Sequence, residues 1–321
     1  MKKKTRVIIL AFVFLFVFCL ARDFLIKSLI GSLATRITGT PVSVGGLSLS
    51  VIRQSIKISN FKMYNPKGFP KDILADIPRM SVSWDLAALI KGRLHLRQLE
   101  LEIKEIGMVK NKEGKLNVDS LKISAEKPDE KKKKKPAKQL PIQIDIVELG
   151  MGRVISRDYS VEGQPVIKVY DINLKKSYKN IASAQQLAVL IITEPLKTAG
   201  IEGLKVYGVS MLAGVAALPV MAAFTFTAKD YAQENFNVDM ERAYNAGLKA
   251  IQAAGRVISE NRVGGIISAE VNGARVTLRL KKLSEKTTQV NISARKLGFP
   301  KPEIASGVMY RLKEELGNEG K

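Results

Sequence analysis

The residue types that most often carry catalysis or bind metals are scarce in this chain. Its 321 residues include one histidine, His95, and one cysteine, Cys19. A Cys/His zinc site needs more such ligands, and no disulfide can form within the chain. A Ser-His-Asp triad would need His95, which alternates with apolar residues in "GRLHLRQLELEI" and is predicted to be an ordinary strand residue. The sequence therefore predicts no catalytic residues, no metal site, no cofactor and no enzymatic activity.

Another set of residues offers the chemistry of an apolar surface. Apolar side chains recur at every second position of several segments, which is typical of strands with one buried face. This face could be an ordinary core beneath a helix, or a groove that takes up the hydrocarbon chains of a lipid. The residues that we predict to line it are Ile56, Ile58, Phe61, Met63, Val82, Trp84, Leu99, Leu101 and Ile103.

The alternation breaks at two places along these strands. A change of phase at Ser59-Asn60 separates Ile58 from Phe61, and another at Arg97-Gln98 separates Leu96 from Leu99. An extra residue at each place would keep the apolar side chains on one face, so we predict local bulges there.

The chain is strongly basic, with 52 Lys and Arg residues against 30 Asp and Glu and a net charge of +22. Such a surface attracts anionic lipid headgroups, nucleic acid or an acidic protein partner. No basic motif interleaved with aromatic residues is present, and an export signal begins the chain, so nucleic acid is not a predicted partner.

The N-terminus is predicted to hold the protein at a membrane. Four basic residues precede the apolar run Val7–Ala21, and helical apolar spacing continues behind it. The lysines are expected to stay in the cytoplasm while the rest of the chain is exported. We expect an uncleaved anchor in the bacterial inner membrane with the bulk of the protein in the periplasm. The alternative is a cleaved signal peptide.

Composition and periodicity divide the chain into successive segments. The segment 206–228 carries no charge and contains Pro219. It is interpreted as a second spanning helix, a membrane-associated hairpin or an Ala/Gly-rich segment packed on protein. The predicted segments are an anchor and stalk at 1–34, a strand-rich domain at 35–123, a Lys-rich linker at 124–141, further strands and a helix at 142–205, the apolar segment 206–228 and a small α+β domain at 229–317.

The last segment has the pattern of a compact domain. "ENFNVDM" predicts a strand, "MERAYNAGLKAIQAAG" a helix, and "VNGARV" a hairpin in which Asn272-Gly273 suits a type I′ turn. A closing helix is predicted over "EIASGVMYRLKEEL". The order β-α-β-β-β-α predicts one sheet covered by two helices.

The order of the N-terminal motifs resembles the start of AsmA-like proteins. These motifs are the basic N-terminus and apolar run, then "ITGTPVSVGGLSLSV", "IKISNFKMYNPKGF", "MSVSWDLAALIKGRLHLRQLELE" and "NKEGKLNVDSL". The C-terminal pieces "AYNAGLKAIQAAG", "GGIISAEVNGARVTLRL" and "TTQVNISARKLG" are similar to a small uncharacterised domain of bacterial lipoproteins.

The AsmA-like resemblance implies a fold and a function. The fold is a curved antiparallel sheet with an apolar concave face, so the expected class is α+β with an N-terminal membrane helix. The function is a non-enzymatic role in outer-membrane biogenesis or in phospholipid transport between membranes. The alternative is a structural protein of the envelope, in which the sheet is a spacer and the C-terminal domain binds a protein partner.

Overall fold

A computed structural model describes two β-sheets and the helices that accompany them. The described residues are 27–28, 30–32, 34–36, 38–121, 142–183, 186–187, 190–191, 194, 220–222 and 231–318. The apolar run Val7–Ala21 and the Lys-rich linker 124–141 lie outside them. Within the described ranges, no helix has the length and apolar character needed to cross a membrane.

The first sheet has seven strands that neighbour one another in sequence order. Helical residues between 27 and 38 precede it. The short helix α1, Leu86–Ile90, joins the third and fourth strands. The strands are β1 Val42–Ser50, β2 Ser55–Tyr64, β3 Ile73–Trp84, β4 Leu94–Lys110, β5 Ile142–Asp158, β6 Val166–Ile181 and β7 Val220–Ala222.

The second sheet has six strands in the order β13-β12-β11-β10-β9, and β8 pairs with β12. Two longer helices accompany it, α2 at Met240–Ala254 and α3 at Pro302–Asn318. The strands are β8 Tyr231–Phe236, β9 Arg256–Asn261, β10 Ile266–Val271, β11 Ala274–Ser284, β12 Thr287–Lys296 and β13 Phe299–Pro300. The α+β class is confirmed, and most of the described residues lie in strands.

The chain divides into two compact units. The first holds the described residues within 1–106, 118–152 and 173–223. The second holds those within 107–117, 153–172 and 224–321. The second unit therefore includes the last residues of β4, the last third of β5 and about the first half of β6, together with the whole second sheet.

Local sequence signals fix the ends of the short helix α1 and place the hairpin turn where it was predicted. The Asp85 carboxylate accepts a hydrogen bond from the Ala88 amide at 3.0 Å and caps α1. Gly92 follows that helix with a φ of 72°, and Asn272-Gly273 has φ values of 53° and 70°. Two successive positive φ angles are those of a type I′ turn, which matches the twist of the flanking strands β10 and β11.

One pair of neighbouring strands differs from the predicted antiparallel sheet. His95 on β4 contacts Asp145 on β5, and Lys110 further along β4 contacts Asp158 further along β5. Positions therefore advance together along both strands, so the pair is parallel. The long connection 111–141 allows this, because parallel strands need a crossover of a dozen or more residues.

The second unit encloses a closed core between its sheet and its helices. Alternate side chains of β10, β11 and β12 are buried, including Ile267, Leu278 and Ile292 with no exposed surface. Helices α2 and α3 cover this face with small and aliphatic residues. The predicted order β-α-β-β-β-α lacked β9, whose residues are mostly exposed and so show no alternation, and the two-residue strand β13.

Candidate functional site

Strand register brings the predicted apolar residues of the first sheet into rows. Residues directly opposite each other on neighbouring strands share a face of the sheet, so each row is a set of contacting side chains. One row joins Leu49, Ile56, Val82 and Leu99 across four strands. The next joins Leu47, Ile58, Met80 and Leu101.

The other predicted residues lie next to these two rows or in two further rows. Trp84 is opposite Leu96, and Ile103 comes two positions after Leu101 on β4 and so shares its face. Beyond Asn60, a further row joins Val44, Phe61 and Ile77. The last joins Val42, Met63, Ala75 and Ile106.

The structure shows how the alternation changes phase. On β4, pairing passes from Gln98 to Leu96 and skips Arg97, so the predicted irregularity at Arg97-Gln98 is confirmed. On β2, Asn60 has a φ of 52°, but pairing with both β1 and β3 resumes at Phe61 in the same register, so no extra residue is inserted and the predicted bulge at Ser59-Asn60 is wrong. Gly45 lies opposite, where an added Cβ would come within 2.6 Å of the Asn60 Cβ. The glycine pair in β1 therefore allows close approach of β1 and β2.

Burial of the nine predicted residues differs from strand to strand. Ile58, Leu99, Leu101 and Ile103 are buried, with 1% to 5% of their surface exposed. The other five, on β2 and β3, are half-buried. The Trp84 indole nitrogen is buried and has no hydrogen-bond partner among the described residues. The two rows that end at Leu99 and Leu101 are therefore closed at β4 and less covered at Leu47 and Leu49 on the edge strand β1, although Val44 on the same strand is buried.

An open cleft of about 470 Å³ lies at this less covered edge. Its apolar lining is Val42 and Val44, whose register partners on β2 are Met63 and Phe61. The helical residues before β1 supply the opposite wall and a polar rim. The lining residues are Lys27, Ser28, Gly31, Ser32, Thr35, Val42 and Val44.

The rim of the cleft combines one cation with several hydroxyl groups. The Lys27 ammonium donates a hydrogen bond to the Gly45 carbonyl at 2.7 Å, which holds it at the edge of β1. The volume falls within the range of small-molecule sites, which are commonly apolar with a few placed polar groups. This combination fits an amphiphile with an acidic head. These rim residues were not predicted as a site, because their helical spacing is that of a stalk.

The histidine occupies a polar position on the first sheet. The His95 Nε2 atom lies 2.8 Å from the Asp145 carboxylate, and Nδ1 lies 3.8 Å from that of Asp85. The hydrogen bond from the Ala88 amide, together with the charge of Arg97, lowers the pKa of the Asp85 carboxyl. No hydroxyl or thiol nucleophile joins this group in the described hydrogen bonds, and the contacts tie β5 to the end of β4.

Another polar group lies further along the sheet, where β6 meets the helical residue Glu194. The Lys176 ammonium and the Glu194 carboxylate are 2.5 Å apart, and each side chain is only 10% exposed. Burial, with the nearby Glu194 carboxylate, raises the pKa of the Tyr178 phenol. Lys176 and Glu194 form a buried ion pair, and the Tyr178 hydroxyl is buried without a hydrogen-bond partner among the described residues.

One part of the chain is similar to a known protein family. Residues 198–306 match a family described as a protein of unknown function (DUF3568). This stretch overlaps the C-terminal domain for which similarity to an uncharacterised domain was predicted. No AsmA-like family model matches the chain. No curated protein matches it either.

Proposed function

We propose that this protein is a membrane-anchored, non-enzymatic component of the bacterial cell envelope that contacts phospholipid through its first sheet. In this proposal it is of AsmA-like type and assists outer-membrane biogenesis or phospholipid transport between membranes. The N-terminal run Val7–Ala21 anchors it in the inner membrane, and the bulk of the chain lies in the periplasm.

The observation that carries the proposal is the cleft beside β1. Its floor, Val42 and Val44, is in register with Phe61 and Met63, so an acyl chain placed over the valines reaches predicted apolar residues on the next strand. Lys27 and the hydroxyl groups of the rim would meet the phosphate and ester oxygens. Each methylene shielded from water contributes about 0.8 kcal/mol, so a partly covered chain gains substantial free energy.

Photo-crosslinking tests this proposal at the cleft itself. A membrane-anchored protein carries surrounding lipid, so the full chain is labelled with a phospholipid whose acyl chain bears a photoreactive group, and the attached peptides are mapped. We expect adducts within residues 42–64. Absence of adducts there in folded protein would overturn the proposal.

Two substitutions at Gly31, one that fills the cleft and one that does not, form a matched pair of variants. A Cβ added at Gly31 would lie 4.0 Å from Val44 Cγ2, an ordinary contact, so Gly31→Ala fits without displacing neighbours. A larger side chain in Gly31→Leu extends over Val44 and occupies the space meant for lipid. We expect Gly31→Leu to lose most of the adducts while Gly31→Ala keeps them. Equal labelling of both variants would count against the cleft.

The alternative function is a structural role in which the second unit binds a protein partner. It is favoured by the turn between β12 and β13, where Leu297 is 90% exposed and Phe299 is 72% exposed. Leu297 has a φ of 51°, which is uncommon for a leucine. Loss of partner capture from envelope extracts in Leu297→Ser with Phe299→Ser, with cleft labelling unchanged, would support this role.

A further inference from the structure

Four exposed aliphatic residues form a cluster at one end of the first sheet. Val51 and Ile52, on the turn between β1 and β2, are 54% and 96% exposed, and Leu89 and Ile90, on α1, are 39% and 79% exposed. Single exposed apolar residues are normal on protein surfaces, but a cluster rimmed by polar residues marks an interaction site. These four residues are called the tip patch below.

The two elements of the tip patch are fixed to each other by Gln54. Its carbonyl accepts a hydrogen bond from the Trp84 amide at 3.0 Å. Its side-chain oxygen accepts from the Leu86 amide at 3.1 Å and from the Arg97 guanidinium at 3.2 Å. The Gln54 amide also closes the turn onto the Val51 carbonyl. These hydrogen bonds hold the turn that carries Val51 and Ile52 against the start of the helix that carries Leu89 and Ile90.

Basic side chains surround the tip patch. Arg53 follows Ile52 in the turn, Lys91 and Arg93 follow Ile90, and all three are exposed. Within residues 51–54 and 85–93 the only carboxylate is that of Asp85. That carboxylate caps α1 and lies 3.6 Å from the Arg97 guanidinium, which offsets its negative charge. The outward field of the patch is positive.

We propose that the tip patch docks onto the surface of a membrane that contains anionic phospholipid. Aliphatic side chains inserted at the level of the headgroups, with cations beside them, gain from both apolar burial and attraction to anionic lipid. A second copy of the chain fits less well, because a symmetric contact would bring the two basic rims together. The patch also lacks the Trp and Tyr residues that commonly anchor protein interfaces.

The position of the tip patch separates it from the N-terminal segment. The helical residues before β1 join the strand at Val42, whereas the patch follows its other end at Ser50. A strand of nine residues at about 3.3 Å each spans roughly 30 Å. The patch therefore lies roughly that far from the point where the helical residues enter the sheet. The binding of anionic lipid by the patch itself does not depend on the proposed N-terminal anchor.

Fluorescence at single positions tests this docking. Cys19→Ser removes the native thiol, and Ile52→Cys or Ile90→Cys then carries an environment-sensitive dye on the full chain, held in neutral phosphatidylcholine nanodiscs. We expect a several-fold rise in emission and a blue shift on adding vesicles that contain phosphatidylglycerol. Val263→Cys is the matched control, because Val263 is 97% exposed in the second unit. Its dye should not respond.

Two further measurements distinguish a membrane from another binding partner of the tip patch: reversing the charge of its arginines and varying the protein concentration. Arg53→Glu with Arg93→Glu should weaken the response of the dye at position 52 at least tenfold, and added salt should weaken it in the wild-type background. An equal response to pure phosphatidylcholine vesicles, no response at position 52, or a response to protein concentration alone would overturn the proposal. Gly31→Leu should leave the signal intact, so failure of the cleft and failure of the tip patch are distinguishable.

Discussion

The two sheets of this protein share the same alternating pattern, but their apolar faces differ in how far other elements cover them. On the second sheet the face lies beneath α2 and α3, and residues such as Leu278 and Ile292 have no exposed surface. On the first sheet several apolar residues of β1 to β3, among them Leu49, Ile56 and Val82, stay half-buried, and a cleft lies over Val42 and Val44. Alternation therefore specifies which side of a strand is apolar, while the elements packed on that side decide whether it is closed.

The largest expected effect on stability comes from truncating a side chain on the closed face of the second sheet, compared with one on the less covered face of the first. Leu278→Ala removes a fully buried side chain that packs against α2, so it should lower the free energy of unfolding of the second unit by roughly 2–5 kcal/mol. Leu49→Ala removes the same atoms from a half-buried position on β1 and should cost clearly less. Hydrogen exchange read from peptides of each unit measures both, and equal losses would remove the distinction between the two faces.

The packing of β1 against β2 gives the next largest effect. Gly45→Ala places a Cβ within 2.6 Å of the Asn60 Cβ, and paired positions of β1 and β2 flank both residues, which leaves the two strands little room to move apart. Such overpacking typically costs about 1–3 kcal/mol. Trp84 is the only tryptophan, so urea unfolding followed by its fluorescence reports on the first sheet. The exposed neighbour Ser43→Ala is the control and should leave the midpoint unchanged.

Helix α3 illustrates how the second unit is enclosed on more than one side. One side of α3 faces the second sheet through Ile304, Val308 and Leu312. Another side carries Tyr310, which packs against Ile155, Ile167 and Val169 from the strand ends of β5 and β6. Gly307 lies so close to the Ile167 carbonyl that no Cβ would fit between them. The strand ends therefore belong to the packing of the second unit.

The Tyr310 contact gives a prediction of intermediate size. The Arg157 guanidinium donates a hydrogen bond to the Tyr310 hydroxyl at 2.7 Å, and Arg153 and Arg157 both lie over the ring. Tyr310→Phe keeps the ring but removes the acceptor, so it should cost about 1–2 kcal/mol of unfolding free energy. Tyr310→Ala should cost more because the ring contacts are also lost. A phenylalanine variant as unstable as the alanine variant would contradict this division.

Much of this architecture follows from local sequence signals. Alternation predicted the strands, and Asn272-Gly273 predicted a turn whose geometry is confirmed. These signals act over a few residues, so they can be recognised without knowledge of the fold. Several predicted apolar residues, among them Ile56, Val82 and Leu99, are also brought together, because register follows from the same alternation.

The features that escaped prediction depend on contacts between distant residues. The parallel pairing of β4 and β5 depends on a crossover whose own residues show no periodicity. The cleft depends on how the helical residues near Lys27 meet Val42 and Val44, and the packing of Tyr310 depends on strand ends far away in sequence. Asn117 is a further example. It is fully buried, donates to the Gly107 carbonyl and accepts from the Val109 amide, yet it looks like an ordinary loop residue in the sequence.

The smallest effect concerns pH and sharpens the contrast between apolar and polar burial on the first sheet. Burial and the Glu194 carboxylate raise the pKa of Tyr178 above its ordinary value of 10.0. The folded protein then keeps its proton where the unfolded chain loses it, so the contribution is unchanged below pH 10 and stability falls as the pH rises above it. Tyr178→Phe removes the titrating group while keeping the ring. We expect the variant to lose less stability than the wild type between neutral and strongly alkaline pH, measured by urea midpoints followed through Trp84. Parallel losses in the two proteins would mean that other groups control alkaline unfolding.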